Sequence, residues 1–140
     1  MVGPERVLVD SGFFIALFNE RDQHHESARR LEKWLDFMPI VLPWPILYET
    51  VNTRLARRPA NLARFGAIAR SPETALLDDS LYREESFATV LAQDANVGLS
   101  LVDAVLCNII EDANVAISAM LTFNERDFLA APATSITSSC

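Results

Sequence analysis

Lysine is nearly missing from this chain: of 12 basic residues only Lys33 is a lysine, and the others are arginines. Arginine suits bidentate phosphate contacts, although a bias in the coding sequence would leave the same mark. Cysteine is scarce as well. Cys107 lies in an apolar helical pattern and reads as a small buried hydrophobe, while Cys140 is the last residue, so a mutual disulfide has little support. No uninterrupted apolar run approaches the roughly 18 to 20 residues that span a bilayer, and the opening MVGPERVLVD lacks a secretory h-region. A cytoplasmic protein is expected. Internal repeats, linkers and low-complexity stretches are missing too, apart from a small-residue Ala/Thr/Ser tail, and 140 residues match one ordinary domain spanning 1–140.

Acid is in surplus. A formal charge of −7 argues against a chain that holds nucleic acid by its overall field. It leaves room for a nuclease, because a divalent cation held by clustered acids reverses the local sign.

The hydrophobic pattern alternates between strand-like and helix-like runs. Arg6 to Asp10 reads as a short buried strand (VLV), and Ser11 and Gly12 lead into the apolar run from Phe13 to Phe18. Ala28, Leu31, Trp34, Leu35 and Met38 share one helical face. Ile40 to Leu42 make a second strand, and Pro45 starts a helix carrying Leu47, Glu49, Val51 and Leu55. Arg57, Arg58 and Pro59 close that helix, with cations near its negative end. Another follows with Leu62, Phe65 and Ile68.

Thr74 to Leu77 form a third strand, and Asp79 or Ser80 caps a helix with Phe87, Val90 and Leu91 facing inward. Ser100 opens a helix burying Val102, Val105, Leu106 and Ile109. Ala116 to Thr122 give a fourth strand, Asn124 to Asp127 a turn, and Ile136 centres a short edge strand. Strands alternating with helices imply parallel pairing, hence a three-layer α/β sandwich around a mainly parallel sheet of four to five strands.

Acidic residues recur beside these apolar segments: Asp10 in VLVDSGFF, Glu49 in ILYETVN, Asp103 in LSLVDAVL and Asp127 in LTFNERDF. An ionised carboxylate is costly to desolvate unless a cation or several hydrogen bonds receive it. Ligands of open α/β sheets bind beyond the carboxyl ends of the strands. Asp10, Asn124 and Asp127 follow strand ends, and Glu49 and Asp103 sit early in helices that start on the same edge, so all five point to one rim. Hard oxygen donors of this kind suit magnesium or manganese. Asp10 and Asp103 are the expected direct ligands, Glu49 ligates through water or helps deprotonate the nucleophile, and Asp127 or Asn124 holds the outer shell.

The ordered set resembles the PIN-domain proteins, and among them the VapC group of small toxin ribonucleases. The resemblance spans essentially the whole chain. It rests on Asp10 with Ser11 after the first strand, Glu49 on the helix after the second, Asp103 with Ala104 at a helix start, and Thr122, Asn124, Asp127 and Phe128 in the closing motif. There the chain has the asparagine form, so Asp127 rather than Asn124 is expected to carry the charge. The resemblance implies magnesium- or manganese-dependent hydrolysis of an RNA phosphodiester, a cognate antitoxin and a homodimer. Two alternatives remain: a PIN nuclease of RNA processing, and a binding or regulatory protein whose acidic site is incomplete at Asn124.

Each residue also has a plainer role. Asp10 could cap a helix, Ser100 and Asp103 match a capping box, Glu49 could reach solvent, and Asp127 could be a turn acid. His24 and His25 read as a solvated loop. Arg54, Arg57, Arg58, Arg64 and Arg70 could follow a phosphate backbone, meet a partner's acids or simply face water. Phe37, Trp34, Trp44 and Phe65 could be core or feed a dimer interface. Nearby phosphate-handling folds fit poorly: a receiver domain needs a lysine near its last strand, and a haloacid-dehalogenase-type phosphatase needs a second aspartate where Gly12 stands.

Overall fold

Val7, Leu8 and Val9 are all buried, which requires cover on both faces of the strand they form. A computed structural model describes residues 6–36 and 38–123 and supplies that cover. Strand β1 (Val7–Val9) is central in a four-stranded sheet with β2 (Ile40–Pro43), β3 (Thr74–Leu77) and β4 (Ala119–Leu121), in the order β3-β2-β1-β4. Every pairing is parallel: Leu8 lies opposite Val41 and Met120, and Val41 opposite Ala75. Continuous apolar runs in β1 and β2 are what a doubly covered parallel sheet demands.

The chain steps from β1 to β2 to β3 in one direction and then returns past β1 to β4. Right-handed crossovers therefore place the helices of the first two connections on one face and those of the last on the other. The first layer holds α1 (Ser11–Phe18), α2 (His25–Leu31), α3 (Trp44–Thr50), α4 (Thr53–Ala56) and α5 (Pro59–Ala69); the second holds α6 (Arg83–Ala92) and α7 (Leu101–Glu111). This is the expected three-layer α/β sandwich, with four strands among the described residues. Asn124, Asp127 and Ile136 lie outside the described residues, as do Phe37 and the side chain of Trp34.

Phe14, Phe18 and Phe65 lock α1 to α5, with the Phe14 and Phe65 rings edge to face at 4.9 Å between centroids. Full burial of such a ring contributes about 1.5–3 kcal/mol over its exposed state. Phe65 is thus core rather than interface, whereas Trp44 stays exposed.

Five local expectations change. The helix expected from Pro45 through Leu55 breaks at Asn52, whose backbone is extended. Its Oδ1 accepts from the amides of Arg54 and Leu55, and its Nδ2 donates to the Glu49 carbonyl, so one side chain ends α3 and caps α4. The α2 helix tightens into a 3-10 turn over Glu32–Asp36 before Met38. Strand β4 starts at Ala119 and not Ala116, because Ala116 has a φ of 57°, which no strand accommodates.

On α6, Phe87 and Leu91 face solvent and Ser86 is buried, its hydroxyl accepting from Asn108 Nδ2 at 2.8 Å across to α7. A small polar contact, not the apolar stripe, sits between these helices. Cys107 is not a free thiol either: it is disulfide-bonded, against the sequence expectation. Sequence spacing carries no information about which thiols the folded chain brings together.

The second layer is tied down by Tyr82, which donates to Asp112 Oδ2 at 2.6 Å. Burial, then the bond to Asp112, pushes the Tyr82 phenol up from 10.0 to about 12. That bond, followed by one from the Asn114 amide, holds Asp112 below its ordinary 3.8. The depressed carboxyl stabilises the fold above pH 3.8 and loses that contribution as pH falls further; the raised phenol stabilises it below pH 10.0 and loses that as pH climbs through about 12. Tyr82→Phe should therefore lower the melting temperature by a few degrees at neutral pH. Melts taken through the acid range should show the gap to wild type closing below pH 3.8; a gap independent of pH would mean that the bond contributes nothing.

Candidate active site

The direction of chain travel reverses beside β1, so a crevice opens beyond the carboxyl ends of β1 and β4, the usual ligand position in such sheets. Asp10 closes β1 and enters this crevice as the N-cap of α1. Its Oδ1 accepts from the Ser11 amide at 2.8 Å, and its Oδ2 accepts from the Thr122 hydroxyl at 3.0 Å. Thr122 is the residue directly after β4, and the Asp10 amide donates to the Leu121 carbonyl at 3.0 Å, which pins the two strand ends together. Strand pairing and side chain thus fix one carboxylate from both sides.

Ser11 extends the network to a third element. Its hydroxyl donates to Glu49 Oε1 at 2.8 Å, drawing the last turn of α3 toward the start of α1. Glu49 is in that last turn because Asn52 ends the helix, so the break in α3 positions an acid.

Asp10 is 7% exposed. Burial raises its pKa above the ordinary 3.8, and repulsion from Glu49 adds to the rise, while the bonds from Thr122 and Ser11 pull the other way. The site holds a second carboxylate, Glu49, close enough to disfavour the charge on Asp10. A cation placed between them relieves that cost.

Asp103 comes from the opposite helical layer, in the first turn of α7. Its amide donates to Ser100 Oγ at 3.1 Å, the capping arrangement expected from the sequence, and its side chain is half-buried. Among the described residues no three of His, Cys, Asp and Glu are grouped to hold a metal, so Asp10, Glu49 and Asp103 do not close a protein-only cage. Magnesium does not require one, since it keeps several waters and takes only one or two carboxylates. The all-oxygen donor set and the repulsion between Asp10 and Glu49 both fit such an ion. Asn124 and Asp127, the remaining expected members, lie outside the described residues.

The histidines are half-buried and packed against neighbours rather than free in a solvated loop. His24 stacks on Phe123 with ring centroids 4.4 Å apart and an interplanar angle of 6°, and Phe123 stacks in turn on Phe13 at 6.1 Å. This column braces the residue next to Thr122 and so supports the Thr122 bond to Asp10. His25 Nδ1 lies 2.7 Å from the Ala16 carbonyl and anchors the start of α2 to α1. Only the placement of Phe123 directly after the fourth strand hinted at this role, and nothing in RDQHHES did. Arg54, Arg57 and Arg58 line the outer surface of α4 and its exit, and all three are exposed.

Among solved structures, the crystal structure of the Mycobacterium tuberculosis VapC20 toxin, which cleaves the sarcin–ricin loop, superposes with a TM-score of 0.67. The match is at 25% identity and covers 86% of this chain and 92% of that one. The chain is VapC-like, with a PIN fold. No family model matches it, and no curated protein matches it by sequence. For a VapC-like sheet, the crevice holding Asp10 and Glu49 is where the sequence places its acids. Among the described residues no helix is long and apolar enough to cross a membrane.

Proposed function

We propose that this chain is a divalent-metal-dependent endoribonuclease and the toxin of a toxin–antitoxin pair. The observation that carries this reading is the buried Asp10, bonded from two strand ends and set beside Glu49 at the switch point of a sheet that superposes on a VapC toxin. Asp10 and Asp103 are the residues that would hold magnesium or manganese directly. When bound, the ion supplies Lewis acidity and lowers the pKa of a coordinated water. Glu49, oriented by Ser11, accepts a proton from the attacking water, and Thr122 keeps Asp10 turned toward the crevice. Asp127, with Asn124, completes the outer shell. An antitoxin and an RNA are the proposed partners. Exposed Leu81, Phe87 and Leu91 around α6 offer apolar surface for the proposed homodimer.

Purified chain incubated with a sarcin–ricin loop RNA and with total RNA should produce discrete cuts with magnesium or manganese and none after EDTA. Co-expression with the neighbouring reading frame should suppress the cutting. Failure to cleave either RNA with both metals would sink the ribonuclease reading, and cleavage unaffected by any neighbouring product would favour an RNA-processing role.

A further inference from the structure

The stacked rings beside the crevice make a second link between the two segments that fix Asp10. Asp10 and Phe13 belong to the cap and first turn of α1, where the Phe13 amide donates to the Asp10 carbonyl at 3.1 Å. Thr122 and Phe123 are consecutive residues after β4. The same two stretches are therefore joined once through the Thr122 hydroxyl to Asp10 Oδ2 and again through the Phe123 ring to Phe13.

Bracing matters here because β4 is a three-residue edge strand, and its register with β1 ends at Val9 and Leu121. Thr122 lies one residue beyond that ladder. The direction of its side chain then depends on what holds the residue that follows it. Phe123 is that residue, and its closer ring contact is His24, at 4.4 Å against 6.1 Å for Phe13.

His24 is itself held by its turn. Its amide donates to Asp22 Oδ1 at 2.8 Å and its carbonyl accepts from the Ala28 amide at 2.9 Å, while the adjacent His25 is anchored to α1 at Ala16. In so polar a segment the imidazole has been given to a stack rather than to water. Aromatic pairs of this kind contribute about two- to tenfold to an equilibrium beyond the area they bury.

We propose that His24 is a positioning residue for the cation site. By holding Phe123 on Phe13 it keeps the Thr122 hydroxyl aimed at Asp10, so that the carboxylate is presented to a cation in one orientation. The role belongs to the flat ring and not to its proton. This rests on the metal-dependent reading of the crevice, and it adds a residue from a segment that carries none of the acids.

The test is manganese binding to the full-length metal-free chain, read from the loss of the free-ion electron paramagnetic resonance signal. RNA cleavage across a magnesium titration and thermal melts are taken alongside. His24→Ala should raise the manganese Kd and the magnesium midpoint about two- to tenfold, with the loss of cleavage confined to subsaturating metal. His24→Phe keeps a flat ring without the ring nitrogens and should restore both values. Thr122→Val should weaken manganese binding about tenfold or more. Adding His24→Ala to it should cost nothing further, since both act through one bond.

Manganese affinity in His24→Ala equal to wild type, including no binding by either, would overturn the role whatever the melts show. Failure of His24→Phe to restore binding would do the same, as would losses that simply add in the double variant, because the column would then support the fold alone. If His24→Ala weakens manganese binding and His24→Phe restores it, yet the wild-type chain cuts no RNA, the positioning role stands and the ribonuclease reading fails.

Discussion

Asp10→Asn is expected to lower RNA cleavage by about 10²–10³-fold or more while leaving the fold intact. The amide has the shape of the carboxyl, and its oxygen can still accept from the Ser11 amide, so the cap of α1 survives. The lost element is charge, at the point where a cation has to be held. Stability should move the opposite way. Burial, and then Glu49, raise the pKa of Asp10 above 3.8, so in the metal-free protein its ionised form is disfavoured relative to the unfolded chain. That cost is absent below pH 3.8 and grows as pH rises through the folded value. In EDTA at neutral pH the asparagine variant should therefore melt higher than wild type, with the advantage shrinking toward pH 3.8. Cleavage at the wild-type rate would remove Asp10 from the site, whatever the melts show.

Glu49→Gln and Ser11→Ala separate charge from position in the same crevice. Glutamine can keep the hydrogen bond from Ser11, which donates to Oε1 at 2.8 Å, but it cannot take a proton from water. A loss of about 10²–10⁴-fold at saturating magnesium is expected for a general base. Ser11→Ala leaves the charge and removes the tether, so Glu49 gains rotamer freedom. A loss of roughly 10–100-fold is expected, as for other residues that orient a ligand or base. A magnesium titration reads the two apart: a weakened cation site moves the midpoint, and a lost proton acceptor lowers the plateau. If Ser11→Ala costs as much as Glu49→Gln, the hydroxyl takes part in the chemistry directly; if neither variant is impaired, Glu49 has no catalytic role.

Sequence by itself determined the alternation of strands and helices, because apolar period and proline position are local properties of the chain. The VLV and IVL runs, Pro45 near the start of α3 and Ser100 at the cap of α7 all appear where the pattern placed them. The place of Asp10 was legible for the same reason, since it directly follows a strand; Glu49 was expected early in its helix and instead lies in the last turn of α3, because Asn52 ends that helix.

Only the tertiary structure decided which groups touch. Thr122 reaches Asp10 across 112 residues of sequence, and Ser11 reaches Glu49 across 38. His24 turned out to stack on Phe123, although its own segment is polar. The inner face of α6 went to Ser86 because close approach to Asn108 outweighed the apolar stripe of Phe87 and Leu91. Periodicity reports whether a side chain leaves water. The identity of its neighbour depends on how separate elements pack, and that depends on contacts no local window contains.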